Sequence, residues 1–176
     1  MTRHCWDTRI RGRWFKSLAA AAAGCGFCLA ADAPSRFSLG IAAWEKKDYT
    51  AAASHLRAAR PQTPKLEDYI VYYLAASLTE DKRYSEARKE LEGMWKLRTP
   101  SPLSGKARLL QARVLIELGA PAEAARLVAA YDAELPKPDA DMTAAEAYLA
   151  AGDRAQAAAS YQKVYYLYPA DRKSVV

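Results

Sequence analysis

At 176 residues, with 26 Lys+Arg against 20 Asp+Glu, the chain has room for one domain and carries a formal charge of +6. That charge overstates the basic character: Arg3, Arg9, Arg11, Arg13 and Lys16 crowd the amino terminus, and beyond Ala33 basic and acidic residues alternate along the chain. No basic stripe interleaved with aromatics stands out, so nucleic acid is disfavoured as a partner.

The basic start is followed by an uncharged, alanine-rich run from Leu18 to Ala31, closed by small residues. This order predicts a secretory signal peptide over residues 1–33. The run is too short and too weakly apolar for a spanning helix. Cleavage after Ala30 or Ala31 is expected, because a cut after Ala33 would leave Pro34 first in the mature chain. Arg11 and Arg13 are not adjacent, which argues against a twin-arginine signal. Cys5, Cys25 and Cys28 all fall in this leader, so a cysteine-free periplasmic protein is expected. Cys25 and Cys28 have the spacing of a redox or metal pair, but an apolar leader is the wrong context. A second reading takes Ala22-Ala23-Gly24-Cys25 as a lipobox, with Cys25 lipidated and the protein anchored to the outer membrane. The absent leucine and the short apolar run weigh against it.

From residue 34 to residue 170 the apolar pattern predicts eight helices and no strand: about Ser35 to Lys47, Tyr49 to Arg60, Leu66 to Thr79, Tyr84 to Lys96, Pro102 to Leu118, Pro121 to Glu134, Asp141 to Ala151 and Arg154 to Tyr168. The second helix of each pair opens on a similar phrase. These phrases are Asp48-Tyr49-Thr50-Ala51-Ala52, Arg83-Tyr84-Ser85-Glu86-Ala87, Ala120-Pro121-Ala122-Glu123-Ala124 and Asp153-Arg154-Ala155-Gln156-Ala157. Ala52, Ala87, Ala124 and Ala157 recur at intervals of 35, 37 and 33 residues. Twelve residues before each stands another small residue: Gly40, Ala75, Ala112 and Ala145. Leu56, Leu91, Val128 and Tyr161 follow one turn later, on the same helix face.

A period near 34 with paired small residues where two helices cross is the tetratricopeptide signature. The predicted fold is therefore all-α, a right-handed tetratricopeptide-like superhelix of about four helical hairpins. The alternative is a helical bundle with accidental spacing. Pro64, Pro136 and Pro169 are expected to end the second helices. Gly119 and Gly152 are expected to close first helices in a left-handed conformation. Ser101 and Pro102 suit the cap and first turn of the fifth helix.

Candidate chemistry is sparse. His55 is alone on a helix, and no phosphate loop, metal-spaced cluster or nucleophile elbow appears. No catalytic residue, cofactor or metal is expected. The mixed charges of Arg83, Glu86, Arg88, Lys89, Glu90 and Glu92 predict a solvated helix face with i,i+4 pairs. Tyr69, Tyr72 and Tyr73 share one helix, and Tyr161, Tyr165, Tyr166 and Tyr168 share the last. Core packing between repeats is the favoured reading of both sets, with a sugar- or peptide-stacking surface as its rival. Glu117 and Glu146 are expected to lie nearest the repeat cores.

The last six residues, Asp171 to Val176, break the pattern abruptly. They match the translation of one frame of a common sequencing adapter up to its stop. A non-native tail over 171–176 is therefore the expectation, with a natural polar tail as the alternative. The repeats also stop after a second helix without a polar capping helix, so a natural protein that continues further is expected.

Three stretches resemble one family. They are Asp68-Tyr69-Ile70-Val71-Tyr72-Tyr73-Leu74-Ala75 with Lys82-Arg83-Tyr84-Ser85-Glu86-Ala87, then Pro100-Ser101-Pro102-Leu103-Ser104-Gly105-Lys106-Ala107-Arg108, and finally Tyr161-Gln162-Lys163-Val164-Tyr165-Tyr166-Leu167-Tyr168-Pro169. Together they look like the amino-terminal superhelical region of soluble lytic murein transglycosylases, over roughly Phe37 to Pro169. The resemblance implies a region that holds peptidoglycan strands beside a lysozyme-like domain. That domain cleaves between N-acetylmuramic acid and N-acetylglucosamine, leaving a 1,6-anhydro ring. Its catalytic Glu-Ser pair and Gly-Leu-Met-Gln phrase have no match here, so no catalytic residue carries over and this chain is not expected to be an enzyme. The rival reading is a periplasmic tetratricopeptide interaction protein, or an outer-membrane lipoprotein of envelope assembly, with a protein partner.

Overall fold

The computed structural model describes residues 35–97 and 101–168. The leader with Cys25, the stretch 98–100 and the tail from residue 169 lie outside the described residues. The described residues are all-α. Their helices are α1 (Arg36–Glu45), α2 (Tyr49–Ala59), α3 (Glu67–Glu80), α4 (Tyr84–Met94), α5 (Ser104–Glu117), α6 (Pro121–Ala130), α7 (Asp139–Ala150) and α8 (Arg154–Leu167).

Local chemistry accounts for most boundaries. Ser35, Asp48 and Asp153 cap α1, α2 and α8 by accepting from the backbone N–H three residues on, at 3.0–3.1 Å. Each hairpin turn then repeats a single device. Lys47, Lys82, Gly119 and Gly152 stand five residues before the four alanines, with φ of 61°, 60°, 77° and 85°. In each turn the next N–H reaches back five residues to a helix carbonyl, Asp48 to Ala43, Arg83 to Leu78, Ala120 to Leu115 and Asp153 to Tyr148, at 2.8–2.9 Å. These are Schellman closures that satisfy carbonyls the helix end would leave bare. Two of the four left-handed positions hold lysine, so a search for glycine alone finds only half of them.

Pro64 and Pro136 do not end their second helices, and Pro169 lies outside the described residues. α2 stops at Ala59, whose carbonyl accepts from the Gln62 and Thr63 N–H groups and from the Thr63 hydroxyl. Pro64 instead opens a 3-10 turn over Pro64–Leu66. α6 stops at Ala130, well short of Pro136. Nor does Ser101 cap α5, which begins at Ser104 without a side-chain cap. Its hydroxyl donates to Asp68 at 2.7 Å and accepts from the Leu103 N–H, tying the loop to α3.

Successive helices pack as antiparallel pairs, α1 with α2 through α7 with α8, and each pair packs on the next. The odd helices also form a row, α1 against α3, α3 against α5 and α5 against α7, whereas the even helices make no such contacts with one another. One buried cluster, centred on Leu56, Ile70, Leu74, Leu78 and Leu91, runs from α2 to α5. A second, with Leu115, Val128 and Leu135, joins α5, α6 and α7. Helix α5 serves both, giving Val114 to the first and Ala112 and Leu115 to the second. Each hairpin thus buries apolar surface only against its neighbours.

The even helices are joined by long side chains instead. Arg57 pairs with Glu86 at 2.9 Å and Arg60 with Glu90 at 3.1 Å, both from α2 to α4. Only Arg88 with Glu92 forms the expected i,i+4 pair. Of the charged face of α4, Glu86 and Glu90 are therefore in interhelical pairs; such exposed pairs stabilise little.

Candidate functional site

The paired small residues lie inside the hairpins. Gly40, Ala52, Ala75, Ala87, Ala112, Ala124, Ala145 and Ala157 are all buried. At Gly40 even a methyl group is excluded, since a Cβ there would sit 2.8 Å from Leu56 Cγ. All eight are therefore packing positions with little or no surface of their own.

The surface made by the row of odd helices is different. Trp44 of α1 meets Tyr73 of α3 edge to face with ring centroids 5.4 Å apart, and Tyr73 meets Tyr72 in the same way at 5.3 Å. The indole Nε1 of Trp44 is buried and has no acceptor. The Tyr72 phenol is pushed above its ordinary pKa by burial first and then by Tyr73, while Arg113 of α5 pulls the other way. The aromatic ladder therefore sits close to the charges of the next odd helix.

Further along lies a cleft of about 300 Å³ between Thr79 and Glu80 of α3, Arg113, Ile116 and Glu117 of α5, and Glu146 of α7, with Lys82 and Tyr84 at one side. Trp44, Thr79, Ile116 and Leu149 each stand four residues beyond the small residue of their own helix, so a single column spans the row. Glu45, Glu80 and Glu117 occupy the next column and are the last residues of α1, α3 and α5. Negative charge is disfavoured at a helix carboxyl end by about 0.3–1 kcal/mol, so this rim is held at some cost to stability. Burial first, and then Glu117, raises the Tyr84 phenol above its ordinary pKa.

Glu117 and Glu146, expected near the repeat cores, are exposed. They stand beyond the buried stripes of α5 and α7 and open into the cleft. The tyrosines divide as well. Tyr69, Tyr72 and Tyr73 are half-buried between helices, but Tyr165 and Tyr166 are 44% and 72% exposed, so core packing fails for them. No helix follows α8 among the described residues to cover that face. Tyr161 is half-buried where its counterparts Leu56, Leu91 and Val128 are buried. His55 is half-buried on α2.

One buried charged cluster gave no advance sign in the sequence. Asp141 of α7, 4% exposed, accepts from Lys163 of α8 at 2.7 Å, from Lys137 at 3.2 Å and from the Tyr168 hydroxyl at 3.3 Å. It holds the last helix and the α6–α7 loop together. Among the described residues, no group of His, Cys, Asp or Glu is arranged to hold a metal ion, and no helix is long and apolar enough to cross a membrane. No protein-family model and no curated protein matches the chain.

Proposed function

We propose that this chain is an exported, tetratricopeptide-like right-handed superhelix that binds an extended polymer along its odd-helix face. The row of odd helices in mutual contact carries this reading. Hairpins that touch on the odd side and stand apart on the even side curve with the odd helices inside. That concave face carries the Trp44–Tyr73–Tyr72 ladder and the cleft between α3, α5 and α7. Half-buried aromatics beside a few polar groups form a rigid platform of the kind that recognises ring-shaped, hydroxyl-bearing ligands.

The ligand proposed is the peptidoglycan strand, and the role is to hold it, in the manner of the superhelical region of lytic murein transglycosylases. Catalysis is no part of the proposal for this chain. The test is co-sedimentation of the purified protein with peptidoglycan sacculi. Tyr72→Ala should weaken retention, whereas Tyr166→Ala, on α8 and away from the odd row, should leave it unchanged. Equal retention of both variants and the parent would overturn the assignment of the face. No retention of the parent would shift the reading to a periplasmic interaction protein.

A further inference from the structure

Arg108, in the first half of α5, lies between two aromatic rings that end the neighbouring even helices. Its guanidinium carbon is 4.3 Å from the ring centroid of Trp95, the residue that ends α4, and 3.4 Å from that of Tyr131, which ends α6. The Trp95 indole N–H is occupied elsewhere, donating to Gln111 at 3.2 Å. The Arg108 side chain forms no ion pair and no hydrogen bond with any described residue. Its Nε is buried without an acceptor, whereas the residue as a whole is only half-buried.

That combination is unusual for an arginine. Two hairpins earlier in the fold, Arg60 at the end of α2 is neutralised by Glu67 and Glu90. Arg108 is instead held between the faces of two rings at the carboxyl ends of α4 and α6, where a cation is favoured. Its planar fork is thus fixed in one orientation with its outer N–H donors open. Two parallel N–H donors match the two oxygens of a carboxylate, and the ordering cost of a free arginine side chain is largely met before binding.

We propose that Arg108, clamped by Trp95 and Tyr131, is a recognition site for a peptide carboxylate. The site lies where α5 begins and α4 and α6 end, and it stands independently of any glycan held on the odd-helix face.

The experiment is a nitrogen-15 NMR titration of the purified chain, following the Arg108 Nε–Hε and Trp95 indole N–H signals. The probes are N-acetyl-Ala-Ala with a free carboxylate, its carboxyl-terminal amide, sodium chloride at matched ionic strength, and inorganic phosphate. The free acid should shift both signals saturably, and the amide should bind at least about tenfold more weakly. Arg108→Met, which retains the aliphatic stem, should abolish the shift of the Trp95 signal. Equal responses to acid and amide, a non-saturating shift matched by chloride, or tighter binding of phosphate than of the peptide acid would each overturn the proposal. None of these readings requires peptidoglycan, so loss of sacculus binding leaves the outcome untouched.

Discussion

Lys82 and Gly119 occupy the same left-handed turn of successive hairpins, with φ of 60° and 77°, and each is followed by an N–H that reaches back five residues to close the preceding helix. An L side chain in this conformation costs roughly 1 kcal/mol relative to glycine. Lys82→Gly and Lys47→Gly should therefore each stabilise the protein by about 0.5–1 kcal/mol. Gly119→Ala should destabilise it by a similar amount, and nothing lies within 4 Å of its added methyl group, so the effect would be purely conformational. Urea denaturation of the three variants measures this. A destabilised Lys82→Gly would show that the lysine side chain contributes more than its backbone strain costs.

Ala87 and Ala124 have no exposed surface, because the facing helix crosses over each of them. Leucine at either position should overpack the hairpin and cost about 1–3 kcal/mol. The exposed Lys89→Leu should stay within about 0.5 kcal/mol. Thermal melts separate these outcomes; equal melting temperatures would contradict the close approach of the helices.

Removing Asp141 leaves Lys137 and Lys163 facing each other without their shared acceptor. Because both lysines are partly solvated, with side chains 27% and 43% exposed, the loss should fall below that of a fully buried pair. Asp141→Ala should cost about 2–3 kcal/mol, and Tyr168→Phe about 0.5–1.5 kcal/mol. The same cluster sets a pH dependence. The hydrogen bond to Asp141 raises the Lys163 pKa above 10.5, so its contribution is present below that pH and is lost as pH rises through the folded value. The hydrogen bond from Lys137 lowers the Asp132 pKa below 3.8, so that contribution is present above pH 3.8 and is lost as pH falls through the folded value. Denaturation midpoints measured across pH should fall at both extremes, and Asp141→Asn should flatten the alkaline limb.

Glycosidic cleavage needs a carboxylic acid kept protonated at neutral pH by apolar surroundings. Glu117 and Glu146 face solvent in an open cleft. The purified chain should release no 1,6-anhydromuropeptides from sacculi. Mass spectrometry of the digest checks this. Anhydro products abolished by Glu117→Gln or Glu146→Gln would assign catalysis to the cleft.

The sequence by itself determined the eight helices and two of the four left-handed turns, because each depends on groups within one or two turns of chain. A helical period needs only its own apolar stripe, and a Schellman closure needs only its own six residues. Tertiary structure decided the rest. Glu86 and Glu90 look like members of a solvated helix face until α2 brings Arg57 and Arg60 alongside. Asp141 is an ordinary first-turn acid until α8 folds back to place Lys163 and Tyr168 on it. Arg108 becomes a clamped cation only because the ends of α4 and α6 converge on one turn of α5. These contacts depend on the angle between hairpins. That angle is the sum of many small packing preferences across the row, and no single segment of the chain encodes it.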